Sequence, residues 1–256
     1  MSANRHLVLF DVDGTLAESG KQCDSTIVDA LQNLASMCNV DIGVVGGGTL
    51  QKIRWQLGEP LCNTMRWLFA ENGLVTGDGT VHASLRNSVS ERDLQHAVDL
   101  CLRWIAKTRL PFKRGHFIDF RHGLIYVTPI GAQCSASERE RFARLDSMHG
   151  FRLQLLRHLR GDDRFARRFQ CVLGGQIGVG IFPHDFDKTY CLRHIDASDA
   201  HYERIYFFGD RCTPNGNDYP LYASPRTIAF ATNGPARTMQ LLRQEVLPRL
   251  KLNNGQ

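Results

Sequence analysis

Two acidic residues one position apart, Asp11 and Asp13 in Phe10-Asp11-Val12-Asp13-Gly14-Thr15, come directly after the apolar run Leu7-Val8-Leu9-Phe10. A continuous apolar run of this kind reads as a strand buried on both faces. In open α/β sheets ligands bind beyond the carboxyl ends of the strands, so both carboxylates project into the expected crevice. One can attack or bind metal while the other shuttles a proton. The bland alternative is a pair that merely caps a helix, but acids at a strand end followed by Gly-Thr have no packing use. A second acidic group also follows an apolar run: Phe207-Phe208-Gly209-Asp210, then Asn215-Gly216-Asn217-Asp218. Asp210 would reach the same sheet edge, where hard oxygen donors suit a Mg²⁺ that keeps several waters and takes up substrate phosphate. Alone, the Gly-Asn-Asp turn is an ordinary loop; beside the first pair it reads as a metal site.

The elements that must position these groups alternate in the first 80 or so residues. After the first strand, Ile27, Leu31, Leu34 and Cys38 recur at helical spacing behind the capping residues Asp24 and Ser25. Val40 to Val45 reads as a second buried strand ending in Gly46-Gly47-Gly48. A helix through Leu50, Ile53 and Leu57 follows, then a strand at Trp67 to Ala70. This βαβαβ order predicts a mostly parallel sheet with helices on both faces. The middle of the chain differs. A helix is predicted over Ser90 to Ala106, then a hairpin of Gly115 to Arg121 and Leu124 to Thr128. Two Arg-rich helices (Ser137 to Leu145, Phe151 to Leu159) precede a strand pair, Phe169 to Leu173 and Gln176 to Phe182. That pattern inside an α/β protein indicates an inserted α+β domain at 83–186, between core segments 1–82 and 187–256. The last segment returns to α/β, with strands at Arg204 to Phe208 and Arg226 to Ala231 and a closing helix at Pro235 to Leu250.

Composition narrows the function classes. With 256 residues, 43% hydrophobic and 22% charged, the chain is of ordinary globular make-up. No run approaches ~18 consecutive apolar residues, so no membrane span is read, and no signal peptide is read at the N-terminus. The net charge of +5 is mild, but arginines crowd from Arg152 through Arg157, Arg160, Arg164, Arg167 and Arg168. They form either a solvated helix face or a positive wall for an anionic small molecule. No aromatic-basic interleaving accompanies them, so nucleic acid is not expected as a partner. The eight cysteines form no CxxC pair and read as small buried hydrophobes in a reducing compartment.

The chain resembles the haloacid dehalogenase (HAD) superfamily of phosphotransferases and, more narrowly, the eukaryotic phosphomannomutases. The Asp-x-Asp-Gly-Thr motif alone gives only the superfamily. The narrower resemblance rests on a collinear set: Leu9 to Leu16, Ile42 to Gly47, Phe69-Ala70-Glu71-Asn72-Gly73, Arg109-Leu110-Pro111, Lys113-Arg114-Gly115, Pro129-Ile130-Gly131, Phe182-Pro183, Asp187-Lys188, Tyr190-Cys191-Leu192 and Phe207 to Asp210. It implies a Rossmann-like HAD core with an inserted α+β cap bearing an antiparallel sheet. It further implies interconversion of mannose 1-phosphate and mannose 6-phosphate, feeding GDP-mannose synthesis, with a hexose 1,6-bisphosphate as activator. Asp11 would be the nucleophile that becomes an aspartyl phosphate. Asp13 would be the general acid/base, and Lys188 a fixed charge beside the phosphate. Mg²⁺ would be held by the Asp11 carboxylate, the Asp13 main-chain carbonyl and Asp210, with Asn217 and Asp218 supporting them. Gly47, Thr49 and Lys21 in the core, and Arg121 and Arg139 in the cap, are the expected contacts to phosphate. The partners implied are hexose phosphates and a second copy of the chain, a homodimer through the cap, in the cytoplasm.

Several positions depart from the family pattern. Ala132 stands where the family has a phosphate-binding arginine, and Gly48-Thr49 where it has Ser-Asp. Gly178 and Gly180 replace a Ser and an Asp that meet sugar hydroxyls, and Gly20 replaces an arginine beside Lys21. Charge-assisted contacts to phosphate are worth roughly 1.5–3 kcal/mol each, so losing one or two would weaken binding ~10- to 10³-fold. Three readings follow: a mutase, a phosphatase or altered-specificity mutase on the same scaffold, and a non-catalytic sugar-phosphate binder. Retention of Asp11 and Asp13 speaks against the last.

Overall fold

The computed structural model describes residues 5–252. Its ten strands are β1 (Arg5–Phe10), β2 (Val40–Val45), β3 (Trp67–Ala70), β4 (Val75–Thr76), β5 (Ile118–Phe120), β6 (Ile125–Val127), β7 (Phe169–Gly174), β8 (Gly178–Pro183), β9 (Tyr202–Gly209) and β10 (Thr227–Ala231). The chain forms two compact units: residues 5–82, 188–214 and 218–252 in one, Ala83–Asp187 with Asn215–Asn217 in the other.

The first unit holds a six-stranded sheet in the order β10-β9-β1-β2-β3-β4. Every pairing is parallel except β3–β4. Parallel neighbours need crossovers, and the helix Ser25–Ala35 joins β1 to β2 while Leu50–Leu57 and Glu59–Cys62 join β2 to β3. Asp24 caps the first of these, its carboxylate accepting from the Thr26 amide at 2.9 Å. Both faces of the sheet are covered, which is why β1 is apolar without alternation. Val8 and Phe10 pack with Leu31, Leu34 and Met239 on one side; Leu7 and Leu9 meet Cys191, Leu192 and Ile195 on the other. The closing helix is not one piece: Pro235–Leu241 passes through a π-helical turn at Leu242–Val246 into Leu247–Leu252.

The second unit is α+β, with a four-stranded antiparallel sheet in the order β5-β6-β8-β7. Its helices are Leu85–Ser88, Glu91–Lys107, Ala136–His149, Phe151–Arg160 and Asp163–Arg168. The predicted strand Gly115 to Arg121 shrinks to β5, because Gly115 and His116 adopt positive φ (47° and 46°) and the Arg114 amide bonds to the Ile130 carbonyl instead. Among the described residues, Cys62, Cys101, Cys134, Cys171 and Cys191 are buried free thiols, and no helix is long and apolar enough to cross a membrane.

Candidate active site

β1 and β9 run in parallel register up to Phe10 and Phe208, and the Asp11 amide then donates to the Phe208 carbonyl at 2.8 Å. That last bond brings Asp11 and Asp210 out of neighbouring strands side by side at the carboxyl edge. Gly14 lets the loop after β1 close against Asp210. Its φ is +84°, and a Cβ there would stand 2.5 Å from the Asp210 carboxylate. Gly209 gives the same close approach to Asp218, whose carboxylate would lie 2.8 Å from an added Cβ.

Asp11, Asp210 and Asp218 form one carboxylate group, each offering an oxygen within 4.8 Å of the others. Lys188 enters this group completely buried, its Nζ donating to Asp11 Oδ1 and, at 2.5 Å, to Asp218 Oδ1. The Arg211 amide donates to Asp218 Oδ2 at 2.9 Å, so both oxygens of Asp218 are engaged. No hydrogen bond reaches Asp11 Oδ2 or Asp210 Oδ1 among the described residues. Burial, with Asp218 and Asp210 nearby, holds the Asp11 carboxyl well above the usual carboxylate range despite Lys188. Burial and then Asp218 push Asp210 up to about 7. Burial disfavours the Lys188 ammonium, but Asp11 and Asp218 outweigh it and raise its affinity for the proton.

Three carboxylates here face the Lys188 ammonium and the Arg211 guanidinium, which lies 3.3 Å from Asp210 Oδ2, and the negative charge left over, on hard oxygens, fits a divalent cation such as Mg²⁺. The oxygens without a hydrogen bond belong to Asp11 and Asp210. Asp218 holds Lys188 from behind. The Asp13 carboxylate turns elsewhere: it accepts from Lys52 Nζ, from Gln56 Nε2 at 2.9 Å and from the Gly20 amide at 3.0 Å. Burial alone would raise its pKa, but Lys52 and these hydrogen bonds hold it below the usual range. Asp13 is therefore held in its ionised form. Lys52 and Gln56 were missed in the sequence, although their i, i+4 spacing behind Thr49 places them on one helix face toward the loop after β1.

The other expected residues have varied surroundings. Gly47 lies between β2 and the helix Leu50–Leu57; Thr49 caps that helix, its Oγ1 accepting from the Lys52 amide at 3.3 Å. Lys21 pairs with Glu18 on the surface. Gly20 has φ +76° with open space around it, so the turn there favours glycine. In the second unit, Arg139 donates to the carbonyls of Ala132 (2.7 Å) and Cys134 (3.1 Å), tying down that loop. Arg121 bonds to Asp119 at 2.7 Å and lies 4.7 Å above the Tyr126 ring. Tyr126 in turn donates to the Gly174 carbonyl at 2.9 Å and fills the space over Gly178, where a Cβ would fall 2.1 Å from its Cζ. Gly180 has no such neighbour, the nearest atom to an added Cβ being the Phe182 ring at 3.5 Å. Asn217, expected beside the metal ligands, groups with the second unit, where the adjacent Asn215 carbonyl accepts from the Leu173 amide at 2.7 Å. Its Oδ1 is buried without a hydrogen-bond partner.

Comparison with known proteins is consistent along nearly the whole chain. The family described as eukaryotic phosphomannomutase matches residues 27–248. A phosphomannomutase of Arabidopsis thaliana is 39% identical over 237 residues, covering 91% of this chain and 93% of that one. Phosphomannomutase 1 of Dictyostelium discoideum is 39% identical over 241 residues, covering 92% and 94%. Among solved structures, IMP-bound, N-terminally truncated IMP-nucleotidase of Plasmodium falciparum superposes with a TM-score of 0.59 at 13% identity, covering 94% of this chain and 68% of that one. Thermoplasma acidophilum 0175 gives 0.55 at 12% identity, covering 97% and 99%. At those identities the likeness is one of fold.

Proposed function

This chain belongs to the eukaryotic phosphomannomutase family, and from that premise we propose that it is a phosphomannomutase interconverting mannose 1-phosphate and mannose 6-phosphate. The observation that carries the reading is the buried Lys188 shared by Asp11 and Asp218 at the end of β1. Lys188 fixes Asp11 through Oδ1 and leaves Oδ2 to attack phosphorus, so the phosphoryl group moves first to Asp11 and then back to the sugar. Asp13 gives a proton to the sugar oxygen that leaves as its P–O bond breaks and, then held ionised by Lys52, takes the proton of the hydroxyl that accepts the phosphoryl group from Asp11. Mg²⁺, held by Asp11, Asp210 and the Asp13 main-chain carbonyl, would neutralise charge on the transferring group.

A hexose 1,6-bisphosphate is the activator in this reading. Arg121 and Arg139 grip the substrate's second phosphate from the cap, and Gly47, Thr49 and Lys21 meet the transferring one. The product feeds GDP-mannose synthesis in the cytoplasm. The working form is a homodimer joined through caps, whose exposed Leu102 and Phe120 offer apolar surface; nucleic acid and membrane have no part. Incubation with glucose 1,6-bisphosphate and acid quenching should leave a phosphate adduct on the peptide containing Asp11, and none in Asp11→Asn. An adduct elsewhere, or none in the parent, sinks the proposal.

A second reading, a sugar-phosphate phosphatase or altered-specificity mutase, is favoured by one observation: the Tyr126 ring fills the space that a side chain at 178 would need. Release of inorganic phosphate in step with substrate loss distinguishes it.

A further inference from the structure

The arginine run from Arg152 to Arg168 divides into two fates. Arg152 is buried, bonding to Asp146 at 2.6 Å and to the carbonyls of Gly175 and Gly178. Arg160 binds Asn215 at 2.8 Å and the Cys171 carbonyl at 2.7 Å. These two hold the second unit together. Arg164, Arg167 and Arg168 do something else. At i, i+3 and i+4 they share one face of the helix Asp163–Arg168, which Asp162 caps and the buried Phe165 anchors. With Arg92, Asp93 and Ser90 from the start of the helix Glu91–Lys107, they line a hollow of about 420 Å³.

Only one carboxylate lines this hollow, and it is fully used. Asp93 accepts from Ser90 Oγ at 2.6 Å and from Arg164 Nε at 2.8 Å, and lies 3.7 Å from Arg168 Nε. Arg92 and Arg167 form no ion pair among the described residues. Four guanidinium groups against one carboxylate leave a concentrated positive field in a concave space, of the size range of small-molecule sites (about 300–1,000 Å³). Planar guanidinium forks match phosphate oxygens in pairs, and one phosphate would occupy only part of this set.

We propose that this hollow binds a small oligophosphate, a chain of two or three linked phosphates, either free or as the tail of a nucleotide. The site shares no residue with the carboxylate group around Asp11, so it would serve a ligand other than the substrate undergoing transfer.

The test is calorimetric titration of the full chain with sodium tripolyphosphate in EDTA, where no turnover occurs and the outcome is independent of the mutase reading. Arg92→Glu/Arg167→Glu is the site variant, and Arg237→Glu/Arg243→Glu is the charge-matched control, all four residues being exposed. Saturable binding by the parent, weakened about tenfold or more in the site variant but not in the control, supports the proposal. Should the double reversal unfold the protein, Arg167→Gln alone is read in the same way. Titration with ATP tells a nucleotide tail from free oligophosphate. No binding by the parent, equal loss in both variants, or inorganic phosphate binding as tightly as tripolyphosphate overturns it.

Discussion

Lys188 and Asp218 are both completely buried and are joined by a 2.5 Å hydrogen bond, while the same ammonium holds Asp11. A buried ion cluster of this kind stabilises little on balance, but breaking it strands uncompensated charge. Lys188→Met should destabilise the protein by about 3–5 kcal/mol in chemical denaturation. Pairing it with Asp218→Asn should recover part of that loss, because the two residues share one network. A single variant as stable as the parent would contradict this electrostatic account.

The negative charge left over after Lys188 and Arg211 predicts the response to metal. Mg²⁺ at about 100 times its dissociation constant should add about 2.7 kcal/mol to stability, read as a higher melting temperature. Asp210→Asn removes a ligand and some of the crowded negative charge, so its melting temperature should rise without Mg²⁺ and respond weakly to it. An unchanged Mg²⁺ shift in that variant would place the cation elsewhere.

Tyr126 and Gly178 are predicted to be coupled. Gly178→Ser drives a side chain into the tyrosine ring and should cost about 1–3 kcal/mol by overpacking. In a Tyr126→Ala background the same change should cost much less, as a double-mutant cycle would measure. Additive costs would mean that the ring does not hold residue 178 to glycine.

Burial lowers the pKa of both His6 and His194 below the ordinary 6.5. The unfolded chain then binds protons more readily than the folded one as pH falls through that value. Their contribution is complete above the unfolded value and is lost as acid is added. Asp210, whose raised pKa acts in the opposite direction over this interval, is common to parent and variant, so from pH 7.5 to about pH 5.5 the urea midpoint of the parent should fall relative to that of His6→Gln. A parent midpoint that rises relative to that of His6→Gln would contradict the histidine sign.

The parallel core was legible because strands buried on both faces leave unbroken apolar runs, as at Leu7 to Phe10 and Val40 to Val45. Asp11, Asp210 and Lys188 were legible through their places at strand ends and in family motifs. Lys52 and Gln56 were not, since their importance lies in a tertiary approach to Asp13 that no local pattern announces. Strand β5 was overestimated because Gly115 and His116 depart from extended backbone, a choice made by the neighbouring loop at Ile130. The reason for glycine at 178 is tertiary as well: Tyr126, 52 positions earlier in the chain, occupies the space of a side chain there.

Phosphorus NMR of the protein with Mg²⁺, mannose 1-phosphate and a catalytic amount of glucose 1,6-bisphosphate tests the central claim most directly. The account predicts growth of the mannose 6-phosphate signal at constant total ester, abolished by Asp11→Asn. Growth of free phosphate instead, or an Asp11→Asn variant as active as the parent, would contradict it.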